Sequence, residues 1–375
     1  MGRATGPASA PSSDGEPPKQ RAIGLDVARG ALMAWIVIVI HGMFWLRLVP
    51  QPIASFALFE MPLIFMIAGG AYFHSTPRTL GGSANPAPGA YLDYLLRRCT
   101  RILVPYLAYA LVCAVIVIVV GGDAFNLQDA ALVMAAWLNP INGGAGHTLL
   151  MLNWHLWFVA PFLVIAALMP LLRRHRTATN APLWLLAVSA AVLVFVADRL
   201  DATQIGAIQM VVFYAIWAAF GFALAAAPNQ FSVRDHGVVL ALALGALAVL
   251  AAFLPGEVSL NMQTNKFPPN GVFFLFCAAW VSLILIVVKL TNLGGVATAL
   301  ADQPWLRSFM RAGYSIYLWQ GLGYSAAALV GRHFAWQPIM IWPLAVAFSI
   351  ALGTLAAPLE RISPKRSSRR PQTPP

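Results

Sequence analysis

Apolar runs of about twenty residues recur along the whole chain, and at 1.5 Å per residue a helix of that length crosses the hydrocarbon of a bilayer. With 59% of residues hydrophobic and only 10% charged, against about 25% charged in a soluble domain, the runs predict an all-α polytopic membrane bundle. About ten spans are expected, at roughly 25–46, 54–74, 102–121, 154–172, 182–198, 206–226, 237–255, 271–291, 313–331 and 338–357. Residues 1–20, rich in Pro, Ser and Gly, read as a disordered tail and 361–375 as a basic one. Between them, 21–360 form one membrane domain.

The formal net charge of +11 does not read as a nucleic-acid surface, because the basic residues sit in short connectors between apolar runs. If the N-terminus is cytoplasmic, 19 of the 24 Lys and Arg fall on the inner side and four on the outer, with Arg29 inside the first span. That asymmetry favours both termini in the cytoplasm and an even number of spans. A multi-pass protein of the plasma (inner) membrane is expected. Cys99, Cys113 and Cys277 lack metal-ligand spacing, so neither a metal site nor a disulfide is expected. Within the connector 75–101, Tyr91–Arg101 reads as a short amphipathic helix on the inner surface. In the outer connector 122–153, the apolar piece Ala130–Leu138 is too short to span, and either re-enters or lies flat.

The first span carries an Asp, an Arg and a His where a buried charge costs at least ~2.5 kcal/mol. Asp26 and Arg29 are three residues apart and can pair on one helix face. His41 lies about 18 Å beyond Arg29 and about 120° around a regular helix. An imidazole can take a proton from a hydroxyl at neutral pH. Arg97, Arg98 and Arg101 cluster at the inner end of the third span. Guanidinium groups grip phosphates bidentately, so the cluster is either a donor grip for a nucleotide or coenzyme A, or a positive-inside anchor.

Other positions are candidates for an acceptor site or for plain packing. Trp154, His155 and Trp157 open the fourth span as an aromatic belt or a stacking floor for a sugar. Glu60 starts the second span, at the water interface or at the acceptor, and Gly69 and Gly70 in that span allow close helix approach. Tyr314, Tyr317 and Gln320 start the ninth span and either line a polar cavity or bond across helices. No Walker loop, G-x-S-x-G or dinucleotide fingerprint occurs.

Taken together, five motifs in order resemble the acyltransferase-3 family of integral-membrane acyltransferases. They are Leu25-Asp26-x-x-Arg29-Gly30 with His41, Met61-Pro62-Leu63 through Gly69, Arg98-x-x-Arg101 through Pro105-Tyr106, His155-Leu156-Trp157-Phe158, and Tyr314-Ser315-Ile316-Tyr317-Leu318. The resemblance implies transfer of an acyl group, commonly acetyl from acetyl-coenzyme A, to a hydroxyl of a carbohydrate or other extracytoplasmic acceptor. It makes His41 the catalytic histidine and Arg29 its companion, and it associates Arg98 and Arg101 with the donor. Acyl-coenzyme A enters as co-substrate, with no permanently bound cofactor. Ala68, Glu60 and Gln320 stand where relatives often have Ser, His and His. A transporter or flippase is the alternative from another class; such folds often carry paired halves, and no second copy of the first-span pattern occurs. A catalytically silent partner subunit is a third reading.

Overall fold

The computed structural model describes residues 23–79, 88–122, 126–174, 202–253, 259–291, 294–362 and 364. The expected span 182–198, the N-terminal tail and nearly all of the basic C-terminal tail lie outside the described residues. What is described is helical, with no strand. The principal helices are α1 (Ile23–Trp45), α2 (Glu60–Thr79), α3 (Pro88–Gly121), α4 (Leu127–Leu138) and α5 (Val159–Arg174). They continue with α6 (Ala202–Ala226), α7 (Val233–Phe253), α8 (Gly271–Thr291), α9 (Gly294–Ala301), α10 (Pro304–His333) and α11 (Pro338–Ala356).

Among the described residues, seven helices are long and apolar enough to cross a membrane. Two expected spans take another form. The run at 154–172 is a turn followed by a shorter apolar helix, Leu156–Pro170. The run at 313–331 lies within α10, which is long but carries Arg307, Arg311 and Arg332. This helix tolerates its polar residues because much of it is inside the bundle, packed on α1 and α11. Ser315, Gln320 and Ser325 are all buried in it.

Sequence turns into packing most directly at three small residues. A Cβ on Gly69 would strike the carbonyl of Ala218, and one on Gly221 would strike the backbone of Met66, so α2 and α6 meet backbone to backbone. Gly353 lets α11 touch α10 at Ile316 in the same way. In lipid, where apolar burial drives helix association weakly, such contacts supply much of the cohesion. Gly70, also expected at a close contact, has only ordinary neighbours at 3.6–3.7 Å.

The expected surface helix at Tyr91–Arg101 is continuous with the third span as α3. Asp93 pairs with Arg97 one turn on, and the Arg98 guanidinium lies 5.6 Å from the Phe162 ring. The charged turn is thereby sheltered and the helix needs no break. Of the two options for the outer connector, the structure takes re-entry. Asn126 and Asp129 cap α4 reciprocally, and α4 folds back along α3. The Tyr106 hydroxyl donates to the carbonyls of Trp137 at 2.7 Å and Asn139 at 3.0 Å. Tyr106 stands about 22 Å back from the end of α3, so the glycine-rich turn after α4 reaches deep into the bundle.

Replacing Gly69 by Ala should destabilise the protein by about 1–3 kcal/mol, the range for overpacking, because the struck atoms are backbone. Gly70→Ala should change stability by less than about 0.5 kcal/mol. Thermal melting of the detergent-solubilised pair checks this; equal melting temperatures would contradict the backbone contact.

Candidate active site

His41 is placed by a defect in its own helix. Trp35–Ile40 forms a π turn, and the His41 N–H donates to Ile36 five residues back. Two carbonyls of the widened turn accept hydrogen bonds from across the bundle. Tyr324 Oη donates to Val37 O and Trp342 Nε1 to Ile38 O, each at 2.7 Å. One wide turn acts as a one-residue insertion, about 100° of helix phase. It brings His41 from the expected 120° to roughly 20° from Arg29. Both then meet α10: Arg29 donates to Met310 O at 3.0 Å, and His41 Nδ1 lies 2.6 Å from Gln320 Oε1. The expected Arg29–Asp26 pair forms at 3.2 Å.

With the amide oxygen of Gln320 facing the ring, Nδ1 of His41 donates and Nε2 keeps its lone pair. The imidazole is buried in an aromatic nest rather than facing lipid. It stacks on Trp45 at 4.0 Å and lies 6.2 Å from Tyr317. Trp45 in turn lies 5.6 Å from the buried His155 ring and 6.1 Å from the exposed Trp154. His155 Nε2 donates to Leu318 O at 2.9 Å and its carbonyl accepts from Tyr317 Oη at 2.9 Å. Gly321 allows this closeness, since a Cβ there would collide with the Tyr109 hydroxyl and His155.

A second polar group adjoins the first. Glu60 is buried, not at the water interface, because Lys266 neutralises it at 2.7 Å. The Lys266 ammonium also lies 5.5 Å from the Trp157 ring and 5.6 Å from that of Phe267. Trp157 thus belongs with Glu60 and Lys266 rather than with Trp154. Around the two groups, His155 Nδ1, Glu60 Oε2, Tyr214 Oη, Gln320 Nε2 and Trp319 Nε1 are buried without a hydrogen-bond partner among the described residues. Tyr314 stands apart, its hydroxyl bonded to Ile102 O at 2.9 Å, toward the arginine end of α3.

That end holds a cavity of about 290 Å³ lined by Arg97, Arg98 and Arg101 together with Ala68, Tyr72 and Phe162. Arg29 and Arg101 are both within electrostatic reach of Arg98. The lining stops short of His41. Between them runs a column of rings: Phe162 lies 6.0 Å from Phe158, which lies 4.6 Å from Tyr317.

The acyltransferase-domain family model matches residues 22–357, nearly the whole chain. The chain belongs to the acyltransferase-3 family. No curated protein and no solved structure matches it. As a member it is a membrane acyltransferase, and the three positions that depart from the family pattern have visible settings. Gln320 holds the histidine, Glu60 is held by a lysine, and Ala68 lines the arginine cavity. Sequence reasoning missed Trp45, Tyr109 and Lys266. Trp45 stands four residues after His41, so helical spacing could have found it. Nothing local signals Lys266.

Lys266→Met should cost about 3–5 kcal/mol by leaving Glu60 buried and unpaired. The double variant Glu60→Gln/Lys266→Met should recover most of that loss. Thermal stability across this cycle is the check, and a single variant as stable as wild type would contradict the buried pair.

Proposed function

We propose that the protein moves an acyl group, most simply acetyl, from acyl-coenzyme A to a hydroxyl of a carbohydrate or similar envelope acceptor. The reading places both termini in the cytoplasm of a ten-span protein of the plasma membrane. Arg98 and Arg101, with Arg97 beside them, take the donor phosphates as bidentate guanidinium partners. The donor's thiol arm follows the Phe162–Phe158–Tyr317 column toward His41. One observation supports this most strongly: α3 carries both Arg98 of the arginine cavity and Tyr109, which lies against His155 beside the imidazole group, about 16 Å further along the helix.

In the transfer step, Nε2 of His41 takes the proton of the acceptor hydroxyl as its oxygen attacks the thioester carbonyl. The C–S bond breaks, and the leaving thiolate takes the proton back from the imidazolium. Gln320 fixes the tautomer through Nδ1. The Arg29–Asp26 pair ties α1 to α10 near the donor end. A role for His41 as transient acyl carrier uses the same geometry.

The choice of acceptor is supported by the unpartnered atoms. His155 Nδ1 and Glu60 Oε2 can only accept, Gln320 Nε2 and Trp319 Nε1 can only donate, and Tyr214 Oη can do both. A ligand of many hydroxyls, each both donor and acceptor, complements such a mixed set. A purely apolar one would leave about 1–3 kcal/mol of penalty at each atom. Trp154 and Trp157 supply ring faces for stacking.

The test uses the purified full chain in lipid nanodiscs with radiolabelled acetyl-coenzyme A, following coenzyme A release with and without envelope glycans. His41→Ala should lower turnover by roughly 10²–10⁴-fold, the usual worth of a positioned base, with folding intact; full activity would end the assignment. Arg98→Ala with Arg101→Ala should raise the donor KM and leave kcat largely unchanged. Gln320→Leu should lower kcat by about 5- to 100-fold, the cost of an unsatisfied buried donor, with donor KM unchanged. An unaltered kcat would remove its positioning role.

A further inference from the structure

A second basic concavity lies at the same end of the bundle as the arginine cavity but shares none of its residues. Its volume is about 410 Å³, and its walls include Arg307, Ser308 and Arg311 of α10, Thr354 of α11, and Arg361 of the 3₁₀ turn Ala357–Arg361. The nearby carboxylates are already engaged. Asp302 accepts from Arg307 at 3.2 Å, and Glu360 accepts from the backbone N–H of Ser315 at 2.7 Å. The latter carboxylate caps the second half of α10, which restarts beyond a non-helical residue, Ala312. Arg311 and Arg361 are exposed and make no ion pair or side-chain hydrogen bond among the described residues. Ser308 Oγ donates to Pro304 O at 3.3 Å, so two free guanidinium groups beside the Thr354 hydroxyl form a cationic cradle suited to a phosphate.

The rest of its lining is apolar: Pro304, Ala312, Ala357 and Pro358. Trp305, Leu355 (78% exposed) and Ile362 each follow a lining residue in the chain and are exposed. A soluble phosphate gains little from apolar walls, whereas a phospholipid lays its chains against apolar surface while its phosphate enters the cradle, and Trp is favoured where chains meet headgroups. We infer that this cleft between α10 and α11 binds the phosphate of an anionic phospholipid. Ala312 lines the cleft, so the headgroup seats against the kink of the helix that carries Gln320. The inference stands apart from the acyl-transfer reading, because it concerns binding and different residues.

Native mass spectrometry of the detergent-purified full chain tests it. The probes are phosphatidylglycerol, phosphatidylcholine, glycerol phosphate and inorganic phosphate, each added to wild type and to Arg311→Ala/Arg361→Ala. Wild type should retain phosphatidylglycerol at least tenfold more than phosphatidylcholine, and the double variant should lose that preference. Arg98→Ala, in the other cavity, should keep it. Melting temperature without added lipid verifies folding of the double variant; if it has unfolded, the single variants Arg311→Ala and Arg361→Ala replace it and should each weaken the preference. Equal retention by wild type and variant would overturn the site. Binding of glycerol phosphate or inorganic phosphate as tight as the lipid would overturn the lipid as occupant.

Discussion

His41 meets Gln320 only because the first helix widens for one turn, and the rest of the site is arranged around that contact. A regular helix would carry the imidazole off the face that Arg29 shares with α10. The π turn corrects the phase but disturbs the helix's own hydrogen-bond ladder in a medium without water, where an unmet backbone group costs several kcal/mol. Tyr324 and Trp342 accept that burden from α10 and α11. The defect, its two donors and the His41–Gln320 bond therefore hold or fail together, which ties three helices to one placement of the imidazole.

The same rule governs the Glu60–Lys266 pair. Two buried charges are tolerable only as partners with good geometry, and here the lysine comes from a short loop helix, Met262–Lys266. Ser55 fastens that loop: its Oγ accepts from the Met262 N–H at 3.0 Å and donates to Pro52 at 2.7 Å. The segment before α2 and the segment before α8 are thus locked together beside the buried pair. Among the described residues, the buried atoms left without a hydrogen-bond partner include His155 Nδ1, Gln320 Nε2 and Glu60 Oε2, in the residues that form or surround the His41–Gln320 and Glu60–Lys266 contacts.

Helices long enough to span, the Asp26–Arg29 pair, the arginine cluster and the backbone contact at Gly69 were legible in the sequence because each follows from local spacing. His41 and Arg29 were legible as residues but not as neighbours in angle, because the π turn is driven by donors nearly 300 positions away in the chain. Glu60 read as an acid at the water interface or at the acceptor, and not as half of a buried pair, because Lys266 is joined to it only by the fold. Tyr91–Arg101 read as a separate surface helix because its sheltering partner, Phe162, comes from α5. In each case the missing term was tertiary: a partner that changes what burial costs.

The central claim is that a thioester anchored at the arginine end presents its carbonyl to His41. A structure determined with a non-transferable thioester analogue of acetyl-coenzyme A measures this directly. The account predicts phosphates against Arg98 and Arg101, displaced Phe158 and Phe162 rings, and the acyl carbonyl beside Nε2 of His41 with room for a hydroxyl between. Phosphates at those arginines with the acyl end directed away from His41, or an analogue bound elsewhere, would contradict it.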